Sequence, residues 1–335
     1  MQSSSPYRLV LAAVLAASTS AAVAALYFLF TLDPAADLGV RLPGGDGRPE
    51  GVQAREAIVD LEGTFQRFEA EPADVRGRWP RFRGADYDNI AEEAPALAAS
   101  WDEDGPPVLW RVEMLGEGHA APVVLGGCVY VLDYDEEARA DAVRCFSLAD
   151  GVEIWRRSYE VAVKRNHGMS RTVPAVTKEH IVTIGPRCHV LCLDRVTGDY
   201  LWGVDLVREY GTEEPLWYTG QCPLIDDGKA ILAPCGPEAL LMAVDCATGE
   251  VLWRTPNASE LDMSHSSIMP MTIGGVRMYV YCALGAVVGV GMDGTLLWEE
   301  PWKAGVLAAS PVAVDDASIF VTAGYGEGSM MLRLE

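Results

Sequence analysis

A glycine followed four residues later by a tryptophan recurs along the second half of this 335-residue chain, and that repeat restricts the fold more than any other feature. Asp150-Gly151 precedes Trp155, Thr197-Gly198 precedes Trp202, Thr248-Gly249 precedes Trp253, and Asp293-Gly294 precedes Trp298. Trp110 is a fifth copy that lacks its turn, and the steps from one Trp to the next are 45, 47, 51 and 45 residues. A period of this length accommodates about four strands, which is the signature of a propeller or a repeat array. Asp-Gly and Thr-Gly are tight-turn dipeptides because glycine accepts a positive φ. A large ring at one fixed position per unit predicts packing between neighbouring sheets, so Trp110, Trp155, Trp202, Trp253 and Trp298 are read as blade-docking residues rather than cofactor-stacking ones. A proline follows each Trp, at 122, 174, 223, 270 and 311, and marks the start of the next unit. Runs of β-forming residues then follow, such as those at 128–131, 180–184, 278–281 and 318–321.

The expected class is therefore all-β: a β-propeller of four-stranded antiparallel blades, at least four to five of them, with an N-terminal transmembrane helix. Residues 9–30 contain no charge. As a helix they extend about 33 Å, enough for a hydrocarbon core of about 30 Å. Arg8 before them and Asp33 and Asp37 after them favour a cytoplasmic N-terminus. Ala22-Val23-Ala24 resembles a cleavage site, but a mature chain would then begin on an apolar run, so a retained signal-anchor is expected. This gives a cytoplasmic tip and span at 1–32, a Pro/Gly-rich linker at 33–74, and the propeller at 75–335, continuing past Glu335. Ile58, Leu61, Phe65 and Phe68 fall at helical spacing and predict a short helix inside the linker. The segment around Trp110 is expected to supply the outer strand of a fifth blade and close a five-bladed ring; an unclosed ring leaves strand edges open.

The unit pattern, Leu193-Asp194 leading through Thr197-Gly198 to Leu201-Trp202, resembles the PQQ-repeat (pyrroloquinoline-quinone-like) propeller superfamily. So does the lead-in Trp79-Pro80-Arg81-Phe82-Arg83-Gly84, which is similar to the opening of secreted bacterial PQQ-like propellers. The resemblance covers roughly residues 75–335. It implies the fold and says little about activity, since the superfamily includes both PQQ-dependent dehydrogenases and the non-enzymatic propeller of the outer-membrane assembly machinery.

The chain carries 48 acidic and 26 basic residues, a net charge of −22, which disfavours nucleic acid and anionic lipid surfaces as partners. Its eight cysteines include no adjacent pair and no CxxC, so no zinc ribbon or thioredoxin-like motif is present. They read as small core residues, with Cys188 and Cys192 on one face of a strand. The five histidines, at 119, 167, 180, 189 and 265, form no ligand pair at helical spacing; His180 and His189 fall in predicted strands and read as structural. No P-loop, HExxH or nucleophile elbow occurs. Asp133, Asp135, Glu136, Glu137 and Asp141 read as a solvated acidic loop that lacks the EF-hand spacing for Ca²⁺.

Three connections between successive blades are long and hold the uncommon residues. They predict a ligand-binding mouth on the central channel, made of Arg165, Asn166, His167 and Arg171, of Trp217, Tyr218 and Gln221, and of Ser264 and His265. PQQ, a planar tricarboxylate, needs cations, an aromatic lid and usually Ca²⁺. The PQQ enzymes that the resemblance brings in use vicinal cysteines and a Glu/Asn/Asp metal set, neither of which is found here. The expectation is a non-enzymatic binding or scaffold propeller without a cofactor, held in the inner membrane by a single pass and facing the periplasm. Its partner is an envelope protein or a small anionic ligand. A PQQ-dependent dehydrogenase with Ca²⁺ is the alternative.

Overall fold

The computed structural model describes residues 6–31, 58–91, 96–163 and 169–334. The chain divides into two compact units, 1–52 and 53–335.

The first unit contains one helix, α1 (Pro6–Thr31), which covers the uncharged segment. Part of its side chains lie outside the described set, and among the described residues no helix is long and apolar enough to cross a membrane.

The second unit is all-β apart from one short helix. Strand β1 (Thr64–Arg67) and β2 (Arg78–Trp79) precede the first blade, β3 (Val123–Leu125), β4 (Cys128–Asp135), β5 (Ala140–Ser147) and β6 (Glu153–Glu160). The second blade is β7 (Ala175–Val176), β8 (His180–Ile184), β9 (His189–Asp194) and β10 (Tyr200–Asp205), followed by α2 (Leu206–Tyr210). The third is β11 (Leu224–Asp226), β12 (Lys229–Leu232), β13 (Met242–Asp245) and β14 (Val251–Arg254). The fourth is β15 (Met269–Ile273), β16 (Val276–Ala283), β17 (Gly285–Gly291) and β18 (Leu296–Trp302). The fifth sheet holds β19 (Val312–Ala313), β20 (Ser318–Thr322) and β21 (Ser329–Arg333). Each blade is an antiparallel meander in chain order, and the first is widened to six strands by β1 on its outer edge and β2 on its inner edge. Four of the five prolines stand immediately before the inner strand, where a missing amide costs no ladder bond; Pro270 is the second residue of β15.

The repeated Trp side chains do one job four times. Trp110 lies against Gly151, Trp155 against Gly198, Trp202 against Gly249, and Trp253 against Gly294; a Cβ on any of these glycines would fall 2.6–2.9 Å from the ring. Each glycine also has φ between 72° and 87°, so the turn and the ring both exclude a side chain. Asp194 and Asp245 shape two of the turns by accepting the amides two and three residues on, at 2.8–2.9 Å. The ring's in-sheet partner is small in every blade: Cys145, Cys192, Ala243 and Gly289 sit directly across from the Trp. Immediately before each Trp the register slips by one residue, skipping Ile154, Leu201, Leu252 and Leu297. A bulge of this kind bends the strand locally and re-aims the side chain that follows it.

Several expectations are corrected. Residues 64–67 are strand β1, not helix: they pair antiparallel with β6, and Phe65 packs on Trp155. An open sheet edge beside them offers more hydrogen bonds than an isolated turn of helix does. Trp110 belongs to no strand and does not complete the fifth sheet; its Nε1 donates to the Leu148 carbonyl at 3.1 Å, on the rim of the first blade. The outer edges of the first four blades each carry a feature that discourages an added strand. In the first blade Ser158 is paired with Thr64 of β1. The third and fourth blades carry Pro256 and Pro301 at the same distance from their Trp, where an added strand finds no amide. In the second, the Asp205 amide donates to Glu209 of α2 at 3.0 Å. All eight cysteines are buried free thiols, and Cys188 precedes β9 with φ 63° rather than sharing its face with Cys192.

A candidate binding site at the channel mouth

Four residues before each inner strand begins stand His119, Arg171, Gly220, His265 and Ala308, one per blade, and all five line one cavity of about 390 Å³. Equivalent points on five blades meet there because they surround a common axis. Two residues before each strand stand Ala121, Val173, Cys222, Ser267 and Ser310. The last four of these form a relay of hydrogen bonds from blade to blade. The Val173 amide donates to Cys222 Sγ at 3.3 Å, the Cys222 amide to Ser267 Oγ at 3.0 Å, and the Ser267 amide to Ser310 Oγ at 3.0 Å. The relay holds the backbone of the cavity wall at fixed radius, and each acceptor must be a small side chain with a lone pair.

The remaining wall comes from the lead-in. Pro80 accepts the Val176 amide at 2.8 Å, and Arg81 reaches the Ile225 carbonyl at 3.4 Å, so this segment crosses the inner strands of successive blades. Phe82 packs against the cores of both the first two and the last two blades. Trp79, Phe82, Arg83 and Asn89 face the same cavity as the five axial positions. The pattern Trp79–Gly84 thus fills the channel and leaves a pocket above an aromatic floor.

Electrostatically the pocket is unlike the rest of the molecule. Among the described residues its lining includes two arginines and two histidines and no Asp or Glu, on a chain with 48 acidic residues. Burial, and after it the Arg171 charge, bring the His265 pKa down to about 4 against a hydrogen bond with the Leu216 backbone, so the imidazole is neutral near pH 7. Burial also lowers the Arg171 pKa, against a contribution from Tyr218. Gly220 makes room for His265: a Cβ there would lie 2.8 Å from the His265 Cβ. Trp217 stacks on His265 at 6.2 Å between ring centroids and meets Tyr325 at 6.4 Å, forming an aromatic collar. Of eleven non-glycine residues with positive φ among the described residues, five lie at this site: Arg83, Asn89, Trp217, Tyr218 and Tyr325. Strained backbone of this kind concentrates at ligand clamps.

The sequence-predicted mouth residues divide into three groups. Arg171, Trp217, Tyr218 and His265 come together, although they span 95 positions. Gln221 and Ser264 do not join them. Gln221 is fully buried and bridges the Ala233 backbone and the Tyr281 hydroxyl, and Ser264 Oγ donates to the Cys282 carbonyl at 2.5 Å. Both are struts, because side chains alternate in direction along an extended segment and theirs turn outward from the axis. Arg165, Asn166 and His167 lie outside the described residues. His119 and the lead-in residues were not expected at the mouth. The signal for His119 was available: counting back four residues from each inner strand finds it. The lead-in carried no such register.

The acidic loop is also redrawn. Asp133 is buried and pairs with Arg144 at 2.8 Å. Asp141 is buried between the first two blades, where Tyr159 Oη and Ser170 Oγ donate to it at 2.9 and 3.2 Å. Burial raises its pKa to about 7 against those two hydrogen bonds. The Ser170 carbonyl accepts the His119 amide at 2.7 Å, so Asp141 buttresses one wall of the mouth. Among the described residues no cluster of His, Cys, Asp and Glu is arranged to hold a metal.

Fold and site together define a PQQ-type repeat propeller with a plugged axis. Residues 139–333 match the family PQQ_2, described as outer membrane protein assembly factor BamB, and the chain belongs to that family. No curated protein matches it. Among solved structures it is similar to BamB from Moraxella catarrhalis, at 14% identity and a TM-score of 0.47, covering 67% of this chain and 61% of that one. It is also similar to two quinohemoprotein alcohol dehydrogenases. The enzyme from Comamonas testosteroni matches at 15% identity and TM-score 0.43, with 64% and 41% covered. The ADHIIG enzyme from Pseudomonas putida HK5 matches at 15% and 0.39, with 64% and 42% covered. The chain thus spans about three fifths of the first of these proteins and about two fifths of the others.

Proposed function

We propose that this protein is a non-enzymatic binding propeller of the cell envelope, anchored in the inner membrane through α1 with its blades in the periplasm, and that it captures a partner at the axial mouth. The observation that carries the reading is the lining of the pocket: cations, neutral imidazole and aromatic rings, with no carboxylate among the described residues. A protein of net charge −22 with a cationic concavity focuses an anionic group there. The family's assembly-factor description supports a role among envelope proteins, with the partner's identity left to experiment.

The lining does not suit the cofactor of the dehydrogenases in the superfamily. PQQ chemistry of that kind uses Ca²⁺ held by carboxylate and amide oxygens, and Asn89 is the one such side chain facing the pocket among the described residues. No step is derived through PQQ. The discriminating assay adds PQQ, Ca²⁺ and an artificial electron acceptor to the purified protein with simple alcohols and sugars. The binding reading expects no dye reduction; turnover would replace it with the dehydrogenase reading. Anchoring is tested separately: the protein should stay with membranes through a carbonate wash, and protease should reach the blades only from the periplasmic side.

A further inference from the structure

The chemistry of the pocket narrows what it recognises. The inference rests on the binding reading above and names the class of ligand. Four features restrict the class. The lining cations are arginines, whose planar fork pairs with a carboxylate through two parallel hydrogen bonds. The floor is formed by the apolar rings of Trp79 and Phe82, which suit a flat or apolar body rather than a hydrated one. The volume, about 390 Å³, accommodates a ligand of a phenylpropionate's size or the last residues of a peptide, not a folded surface. The net charge of −22 repels an incoming anion in proportion to its own charge, so a monoanion is excluded less than a doubly charged phosphate ester.

We propose that the axial pocket binds a free monocarboxylate carried on an aromatic or apolar body, with the carboxylate at Arg83 and Arg171 and the body against Trp79 and Phe82. Two sources supply that chemistry: a small organic acid, and the C-terminal carboxylate of a peptide ending in an apolar residue. His265 sits beside Arg171 with its ring N–H donated to the Leu216 carbonyl, and Trp217 covers it, so a ligand that enters changes the surroundings of an indole.

The test uses the full chain in detergent, titrated with 3-phenylpropionate and its amide, and with N-acetyl-Gly-Phe and its amide. Binding is followed by calorimetry and by tryptophan fluorescence. At least one free acid should bind saturably and at least tenfold more tightly than its own amide. Which acid binds identifies the source. Arg171→Gln and Arg83→Gln should each weaken that acid about tenfold or more, while Lys229→Gln, at the start of β12, leaves it unchanged. Melting curves of each variant separate lost binding from lost fold; should Arg171→Gln unfold, Arg83→Gln carries the test. Equal binding of acid and amide, no saturable binding of either acid, or full affinity in folded arginine variants would overturn the proposal. Phenyl phosphate binding more tightly than phenylpropionate would overturn the monocarboxylate assignment. Silence with the acids leaves the binding propeller standing, because that reading falls only to dye reduction in the cofactor assay.

Discussion

The blade interfaces and the axial mouth are both built by the repeat, and they use it in opposite ways. At the interfaces the same residue pair recurs: a Trp against a turn glycine, with a small residue across the sheet. At the mouth the same position carries His119, Arg171, Gly220, His265 and Ala308: two imidazoles, a guanidinium, a methyl group and no side chain at all. Identity at equivalent positions is what packing requires, because every blade meets an identical neighbour problem. Diversity at equivalent positions makes an asymmetric surface on a pseudo-symmetric frame, and only an asymmetric surface distinguishes one end of a ligand from the other.

The contrast predicts large stability effects at the interfaces and small ones at the mouth. Trp155 is fully buried and Trp298 half-buried, so Trp155→Ala should cost about 3–5 kcal/mol in urea unfolding and Trp298→Ala clearly less. The reverse order would break the packing account of the repeat.

His265 is the one mouth residue with a predicted effect of similar size, and it shows only with pH. Its pKa falls from 6.5 unfolded to about 4 folded, so the unfolded chain takes the proton first as pH drops. The stability it supports is complete above pH 6.5 and is lost toward pH 4, on the order of 3 kcal/mol. Asp141 works the other way: its pKa rises from 3.8 to about 7, so its contribution is full below pH 3.8 and lost as pH rises to 7. The two partly cancel in the wild type. Subtracting the profile of His265→Gln isolates the histidine, and a difference that stays flat between pH 6.5 and 4 would remove His265 from the buried wall of the pocket.

Gly249→Ala tests the turn and the ring contact together. With φ at 75° and a Cβ position 2.9 Å from Trp202, the substitution should cost about 2 kcal/mol. Ser267→Ala removes the acceptor of the Cys222 amide and should cost about 1 kcal/mol, with Ser267→Cys restoring part of it as Cys222 does one blade earlier. Arg171→Gln closes the series: a change within about 0.5 kcal/mol in folded stability, set against a clear loss of ligand, would place that residue on the functional side of the comparison.

Much of the propeller was legible because its signals are local. The turn dipeptides, the Trp period and the strand-starting prolines lie within a few residues of one another, and each maps onto a blade. The same locality explains the failure at 58–68. Phe65 and Phe68 at helical spacing look amphipathic in isolation, and only the presence of β6 beside them turns the segment into a strand. At the mouth, Arg171, Trp217, Tyr218 and His265 were legible as unusual residues in long connections. Gln221 and Ser264 looked equivalent to them, and which way a loop side chain faces depends on backbone directions that composition does not report.

The sequence by itself determined the repeating unit, its strand count and the residues that join one unit to the next, since these follow from turn chemistry and from a ring recurring at a fixed interval. Tertiary structure alone decided what occupies the axis. Trp79–Gly84 lies far along the chain from the mouth residues, and only the gathering of the inner strands about a common axis brings an arginine-bearing plug against His119, Arg171 and His265. A pocket made of single residues from five blades and one lead-in has no signature at any one place in the chain, because its members share a distance from the axis and not a distance in sequence.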